Sequence, residues 1–230
     1  ADAVDFETLA VPHIDENGIK IAIVGSGPAG LTTAYDLRLK GYSVTIFEAL
    51  DALGGMLRVG IPEYRLPNEV LDREVGYLMR HGIEARTNMR FGEDVTMVDL
   101  AEEGYTAVLL GIGLQGGISL NIPGMDTAGV LDALQFLREL NLGNRSEVGQ
   151  RAVIVGGGNV AIDAARVVKR LGAQNVTVVY RRSEQEMPAY PEEIAGAREE
   201  GIQISFLTAP VAIQSQDGHV SGCTCIRTEL

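Results

Sequence analysis

The chain has 230 residues, 46% of them hydrophobic, enough to bury one large core or two modest ones. Its 31 acidic and 19 basic residues leave a net charge of -12, which argues against nucleic acid or an anionic membrane as the main partner. Two cysteines suit a reducing cytoplasm, no signal-peptide pattern opens these residues, and no apolar run approaches the ~20 residues of a membrane-inserted helix.

Residues 1–18 are polar and acidic and read as a lead-in that ends at the Asn17-Gly18 turn signal. Ile21-Ala22-Ile23-Val24 is four apolar residues in a row, a buried parallel strand. Gly25, Gly27 and Gly30 follow at G-x-G-x-x-G spacing, with Ser26, Pro28 and Ala29 between them. In such a turn the first glycine leaves the strand sharply, the second lets a pyrophosphate reach the backbone, and the third brings the helix close to the strand. The open helix N-terminus then faces the phosphates. Residues 28–40 read as that helix, with Ala29, Leu31, Ala34 and Leu37 inward.

Val44 to Phe47 is the second strand, and Glu48 at its tip is placed to accept hydrogen bonds from a ribose. A glycine- and proline-rich loop, Leu53 to Pro67, carries Gly54, Gly55, Met56 and Arg65. A helix from about Pro67 to Gly82, a strand at Ile83 to Arg86 and another at Tyr105 to Leu110 complete this half. Gly129 to Leu140 reads as a further helix.

The opening pattern then recurs. A strand at Arg151 to Val155 precedes Gly156, Gly157, Gly158, Asn159, Val160 and Ala161, a G-x-G-x-x-A turn. The helix after it is expected to turn Val160, Ala164, Val167, Val168 and Leu171 inward, with Asp163 suiting the positive end of the dipole. Asn175 to Tyr180 is the next strand. Its tip carries Arg181 and Arg182 where the first unit has an acid, and paired guanidiniums suit a 2′-phosphate, so NADPH is expected over NADH. Two such units are far more specific than one. A helix ending near Glu200, a strand at Ile202 to Leu207, and a hairpin of Val211 to Ser215 and His219 to Arg227 across Asp217-Gly218 finish the chain. Cys223 and Cys225, too few for a cubane cluster, are expected on opposite faces of the last strand, as ordinary strand residues without a disulfide. His13, His81 and His219 have no triad or metal partners at recognisable spacing, so neither a catalytic residue nor a metal ligand is assigned.

Gly25 to Gly30, the stretch Gly60-Ile61-Pro62-Glu63-Tyr64-Arg65-Leu66-Pro67, Gly156 to Asp163, and Tyr180-Arg181-Arg182 with Pro188 and Pro191-Glu192-Glu193 resemble the small subunit of NADPH-dependent glutamate synthase. The same module occurs in dihydropyrimidine dehydrogenase and in bifurcating ferredoxin:NADP oxidoreductases. The resemblance implies an α/β, glutathione-reductase-like pair of Rossmann-like dinucleotide-binding domains, the second inserted in the first. It implies a lead-in at residues 1–18, the N-terminal part of an FAD-binding domain at 19–128, a connecting helix at 129–149 and an NADPH-binding domain at 150–230. By this likeness Gly25, Ser26, Gly27, Pro28, Ala29, Gly30, Glu48, Gly54, Gly55, Met56 and Arg65 lie on FAD. Gly156, Gly157, Gly158, Asn159, Val160, Arg181 and Arg182 lie on NADPH. Hydride passes from NADPH to FAD, and electrons leave to iron–sulfur clusters outside this chain, on an iron–sulfur protein or a large catalytic subunit. The alternatives are the same module in a bifurcating reductase or other electron-transfer complex, or a nucleotide-binding subunit that does not turn over. The start at Ala1 and stop at Leu230 suggest an excerpt of a longer chain, with both domains incomplete at the C-terminus, the family's cysteine-rich segment missing, and half a flavin site retained.

Overall fold

The computed structural model describes Phe6, residues 8–144 and residues 147–230. It divides into two compact units between Leu114 and Gln115.

In the first unit the strands are β1 (Lys20–Val24), β2 (Ser43–Phe47), β3 (Glu84–Arg86) and β4 (Ala107–Leu110). They form one sheet in the order β3-β2-β1-β4, with every neighbouring pair parallel. Parallel strands need crossovers, supplied here by α1 (Pro28–Leu39), the short α2 (Met56–Val59), α3 (Asn68–Met79) and α4 (Met97–Glu102). Both sheet faces are covered, which is why β1 is apolar from Ile21 to Val24. Ile21 and Ile23 pack with Leu31, Ala34, Leu71 and Val75 on one side. Ala22 and Val24 meet Phe47, Leu100 and Tyr105 on the other.

The burial stripe of α1 departs from expectation. Ala29 is exposed, while Arg38 is buried. Arg38 is tolerated inside because its Nε donates to the His81 carbonyl at 2.8 Å, Nη1 to the Tyr42 carbonyl at 3.2 Å, and Nη2 pairs with Glu16 at 3.0 Å. Helix α4 falls in residues 87–104, which the sequence reading passes over. Its signal is a capping box in which Thr96 and Asp99 bond each other's backbone N–H.

The second unit repeats the plan with α5 (Ala133–Asn141), β5 (Arg151–Val155), α6 (Asn159–Arg170), β6 (Asn175–Val179), α7 (Pro191–Glu199) and β7 (Gln203–Ser205). Its parallel sheet runs β5-β6-β7. A separate antiparallel hairpin joins β8 (Thr208–Gln216) to β9 (His219–Arg227). Asp217 and Gly218 both have positive φ, 53° and 81°, as a two-residue type I′ turn requires. Helix α5 starts four residues later than expected, because Gly129 is left-handed (φ 100°) and Asp132 caps the helix by accepting from the Gln135 N–H at 2.8 Å. Strand β7 stops at Ser205 because Leu207 has φ 51°. On α6, Val160 and Leu171 face outward, and Ala161, Ile162, Ala164, Ala165 and Val168 carry the buried stripe. Among the described residues no helix is long and apolar enough to cross a membrane.

The expectation that the two cysteines lie on opposite faces is overturned, while both are free cysteines of the last strand. Alternate residues of a strand share a face, and Cys223 and Cys225 stand side by side on β9 with their Sγ atoms 3.8 Å apart.

An ionic network ties α7 to α6. Arg166 Nη1 bonds Glu193, and its Nη2 bonds Glu200 Oε1 at 2.8 Å, where Arg170 Nη2 also arrives at 2.7 Å. Burial pushes the Glu200 carboxyl up, but hydrogen bonds from Arg170 and Arg166 outweigh it and hold the group below its ordinary value. The network therefore stabilises the fold above the carboxyl's unfolded value, and that contribution is lost as pH falls through the lower folded value. Urea midpoints from neutral pH down to about pH 3 should accordingly show wild type above Glu200→Gln, with the gap closing as acid is added. A gap that stays constant with pH refutes this.

Candidate functional site

The first site grows out of the end of β1. Gly25 N–H extends the ladder by bonding the Phe47 carbonyl at 2.8 Å, and the chain then turns at φ 98°. A Cβ on Gly25 would lie 2.4 Å from the Gly111 carbonyl oxygen, since β4 ends alongside with Gly111 N–H on the Val24 carbonyl at 2.7 Å. Gly27 is the N-cap of α1 without a side-chain cap, and a Cβ there would meet nothing within 4 Å. The mouth of the helix is thus open over Gly27, next to Pro28 and Ala29, both exposed. At Gly30 a Cβ would fall 1.9 Å from the Gly25 carbonyl oxygen. The three glycines have three different steric reasons, in the order the motif requires.

Ser26 and Glu48 are both buried and joined. Ser26 N–H donates to Glu48 Oε2 at 2.9 Å and its hydroxyl donates to the same oxygen at 2.5 Å. Glu48 Oε1 accepts from the Leu50 N–H at 2.9 Å. Three of roughly four acceptor positions are thereby taken, leaving capacity for about one ligand hydroxyl. Gly54 N–H bonds Ser26 Oγ at 3.0 Å and its carbonyl at 3.2 Å. The next residue, Gly55, has φ 53° and approaches so closely that a Cβ would sit 2.8 Å from Gly27 Cα. Gly54, Gly55 and Met56, the first residue of α2, therefore form a second wall against the turn. Arg65 lies half-buried on the turn closed by its N–H to the Pro62 carbonyl at 2.9 Å.

Arg58 is a residue the sequence reading missed. Its Nε donates to the Leu53 carbonyl at 2.6 Å, Nη1 to Asn68 at 3.3 Å, and Nη2 pairs with Asp72. It fastens the Gly54–Gly55 segment to α3. Nothing local in the sequence marks it, because its partners lie 10 and 14 residues away.

The second site repeats the geometry with different side chains. Gly156 N–H bonds the Val179 carbonyl at 3.1 Å at φ 136°, matching Gly25, and Gly158 caps α6 with open space where a Cβ would be. Gly157 occupies the place of Ser26. A Cβ there would lie 2.6 Å from the Tyr180 ring, so the middle residue of each turn rests on the residue at the tip of the second strand. A hydroxyl suits a carboxylate tip; only hydrogen suits an aromatic one. Asn159 accepts the Tyr190 N–H at 3.0 Å, Gly157 accepts that of Ala189 at 3.0 Å, and Tyr180 donates to the Glu186 carbonyl at 2.7 Å. The 186–190 segment is thus a rim on the turn. Val160 is exposed in the first turn of α6, whereas Asp163 is buried.

Arg181 and Arg182 are exposed, and among the described residues neither guanidinium has a partner. Their backbone is fixed: the Arg181 carbonyl accepts the Thr228 hydroxyl at 2.5 Å and the Arg182 carbonyl accepts the Leu207 N–H at 3.0 Å. Nearby acid does not neutralise them, since Glu184 is engaged by Arg198 at 2.7 and 2.8 Å.

A family model described as pyridine nucleotide-disulphide oxidoreductase matches residues 19–229. The chain is 44% identical over 227 residues to the NADP(+)-dependent formate dehydrogenase subunit beta of Moorella thermoacetica, covering 97% of this chain and 31% of that one. It is 37% identical over 229 residues to the glutamate synthase [NADPH] small chain of Escherichia coli (strain K12), covering 94% and 48%. It therefore spans about a third to a half of these relatives. Among solved structures, FprA of Mycobacterium tuberculosis in complex with NADPH is similar with a TM-score of 0.72 and 21% identity, covering 92% of this chain and 69% of that one. Lactococcus lactis thioredoxin reductase is similar with a TM-score of 0.64 and 20% identity, covering 92% and 72%.

Proposed function

The chain belongs to the pyridine nucleotide-disulphide oxidoreductase family, and from that premise we propose that it is a flavoprotein electron-transfer module, oxidising NADPH and passing the electrons on through FAD. One observation carries the assignment of the two nucleotides. The same strand–turn–helix geometry occurs twice, with a buried carboxylate at one tip and, at the other, Tyr180 followed by two partnerless guanidiniums.

The first turn fits FAD. The open backbone at Gly27, the exposed first turn of α1 and the close wall of Gly54 and Gly55 leave room for a pyrophosphate on a helix N-terminus. Glu48 has acceptor capacity for a ribose hydroxyl, and Ser26 holds it in place. Met56 and Arg65 are the further contacts on this side. In the second unit the Gly156–Val160 turn takes the pyrophosphate of NADPH, and Arg181 and Arg182 take its 2′-phosphate. When bound, FAD supplies hydride acceptance from NADPH and the release of electrons one at a time. What this chain's residues do is bind, orient and set charge, which is consistent with assigning no catalytic acid or base.

Several relatives are subunits by name, including the small chain of glutamate synthase and the beta subunits of a formate dehydrogenase and an NADPH-Fe(3+) oxidoreductase. We infer an acceptor on a partner chain here too, an iron–sulfur protein or a large catalytic subunit, in the cytoplasm. The FAD half is the unit up to Leu114, and the NADPH half lies in the unit from Gln115, whose core takes in Phe136 and Leu137 of the expected connecting helix. The test is anaerobic addition of NADPH to the FAD-loaded protein. Rapid bleaching of the oxidised flavin, faster with NADPH than with NADH, is the expected result. In the full-length protein, retained FAD that neither nucleotide bleaches would leave only a nucleotide-binding subunit, and failure to hold FAD would refute the first site.

A further inference from the structure

Cys223 and Cys225 are the chain's two cysteines, and neither nucleotide site uses them. Both lie half-buried on one face of β9, while Thr224 and Ile226 are exposed on the other. Their sulfurs are 3.8 Å apart, and each makes only a weak further contact, Cys223 to the Thr224 carbonyl at 3.9 Å and Cys225 to the Cys223 carbonyl at 4.0 Å.

A dithiol can act as a nucleophile, close to a disulfide, or chelate. Burial pushes the Cys223 thiol up to about 11, with the hydrogen bond and charge of Cys225 adding to the effect, so almost none of Cys223 is thiolate at neutral pH. That removes nucleophilic work by Cys223. A disulfide requires the sulfurs to close to about 2.05 Å. Alternate Cα atoms of an extended strand stand about 6.6 Å apart, at the far end of the range a bridge spans, which disfavours a disulfide. Chelation requires no movement. Two thiolates at about 2.3 Å from a tetrahedral ion are about 3.8 Å apart.

We propose that Cys223 and Cys225 form a bidentate thiolate site for a soft, thiophilic d10 metal ion of the zinc and cadmium class. On binding, each S–H releases its proton to solvent, two sulfur–metal bonds form, and the ion sheds two waters; no electrons move. Its remaining positions stay open to water or an outside ligand, so the ion is exchangeable, unlike one in a closed four-ligand structural site. Each S–H that binds must give up its proton, so protons leave with the ion and affinity rises with pH.

Cadmium is the probe, added to protein kept reduced with a phosphine in a non-chelating buffer. The expected result is an ultraviolet thiolate-to-cadmium charge-transfer band that saturates at one ion per chain, with about two protons released. Cys223→Ser and Cys225→Ser should each weaken binding by about tenfold or more. Both changes lie at a half-exposed strand, and the proton count on wild type decides the matter even if a variant misfolds. Absence of the band, release of one proton or none, or a serine variant that binds as tightly as wild type would overturn the site.

Discussion

Gly30→Ala should cost about 3 kcal/mol of stability and strip the protein of its flavin. The added methyl would lie 1.9 Å from the Gly25 carbonyl oxygen and 3.0 Å from its carbon. Both are backbone atoms, so no side chain can rotate out of the way. Helix α1 would have to lift by roughly 1.5 Å to restore ordinary contact, and its N-terminus would leave the turn it shares with Gly27. The equivalent place in the second unit is Ala161, where the methyl already exists. The converse change, Ala161→Gly, should therefore cost only about 1 kcal/mol of helix propensity. Denaturant unfolding and the flavin-to-protein absorbance ratio report the two effects together. A Gly30→Ala protein with an unchanged midpoint and full flavin would sink the steric argument.

Removing the guanidiniums of Arg181 and Arg182 should change nucleotide choice more than anything else in the chain. Each charge-assisted hydrogen bond to a phosphate contributes about 1.5–3 kcal/mol, or about 10- to 100-fold in affinity. NADH lacks the 2′-phosphate, so its binding should stay within about twofold in Arg181→Ala and Arg182→Ala. Lysine at either place should restore part of the NADPH preference, because it keeps charge but loses the planar fork. Titration of each variant with both nucleotides reads the ratio directly. An unchanged ratio would mean that the arginines point to solvent in function as well.

Both predictions rest on features that were partly legible beforehand. The glycine spacing showed where the turns lie, and the structure attaches a separate clash to Gly25 and Gly30 and open space to Gly27. The paired arginines were equally visible. Their lack of a partner was not, because it depends on Glu184 being engaged by Arg198 from α7, 14 residues away. The cysteine pair failed for a different reason. Positions i and i+2 of a strand share a face, so the face-sharing of Cys223 and Cys225 follows from local geometry and owes nothing to tertiary contacts.

The sequence by itself determined what local physics controls. Apolar runs made β1, β2 and β6 buried parallel strands and β5 a parallel strand whose Val153 and Val155 stay exposed, glycines at fixed offsets made two nucleotide-type turns, and Asp217-Gly218 made the hairpin. Tertiary structure decided what brings distant residues together. Ser26 meets Glu48 across 22 residues, and Arg58 anchors the second wall of the same site to α3. Arg38 is buried in a helix that sequence alone would turn outward at that position, because carbonyls at Tyr42 and His81 are there to receive it. Such contacts depend on which atoms the folded sheet and helices place within about 3 Å of one another, a quantity that no spacing along the chain encodes.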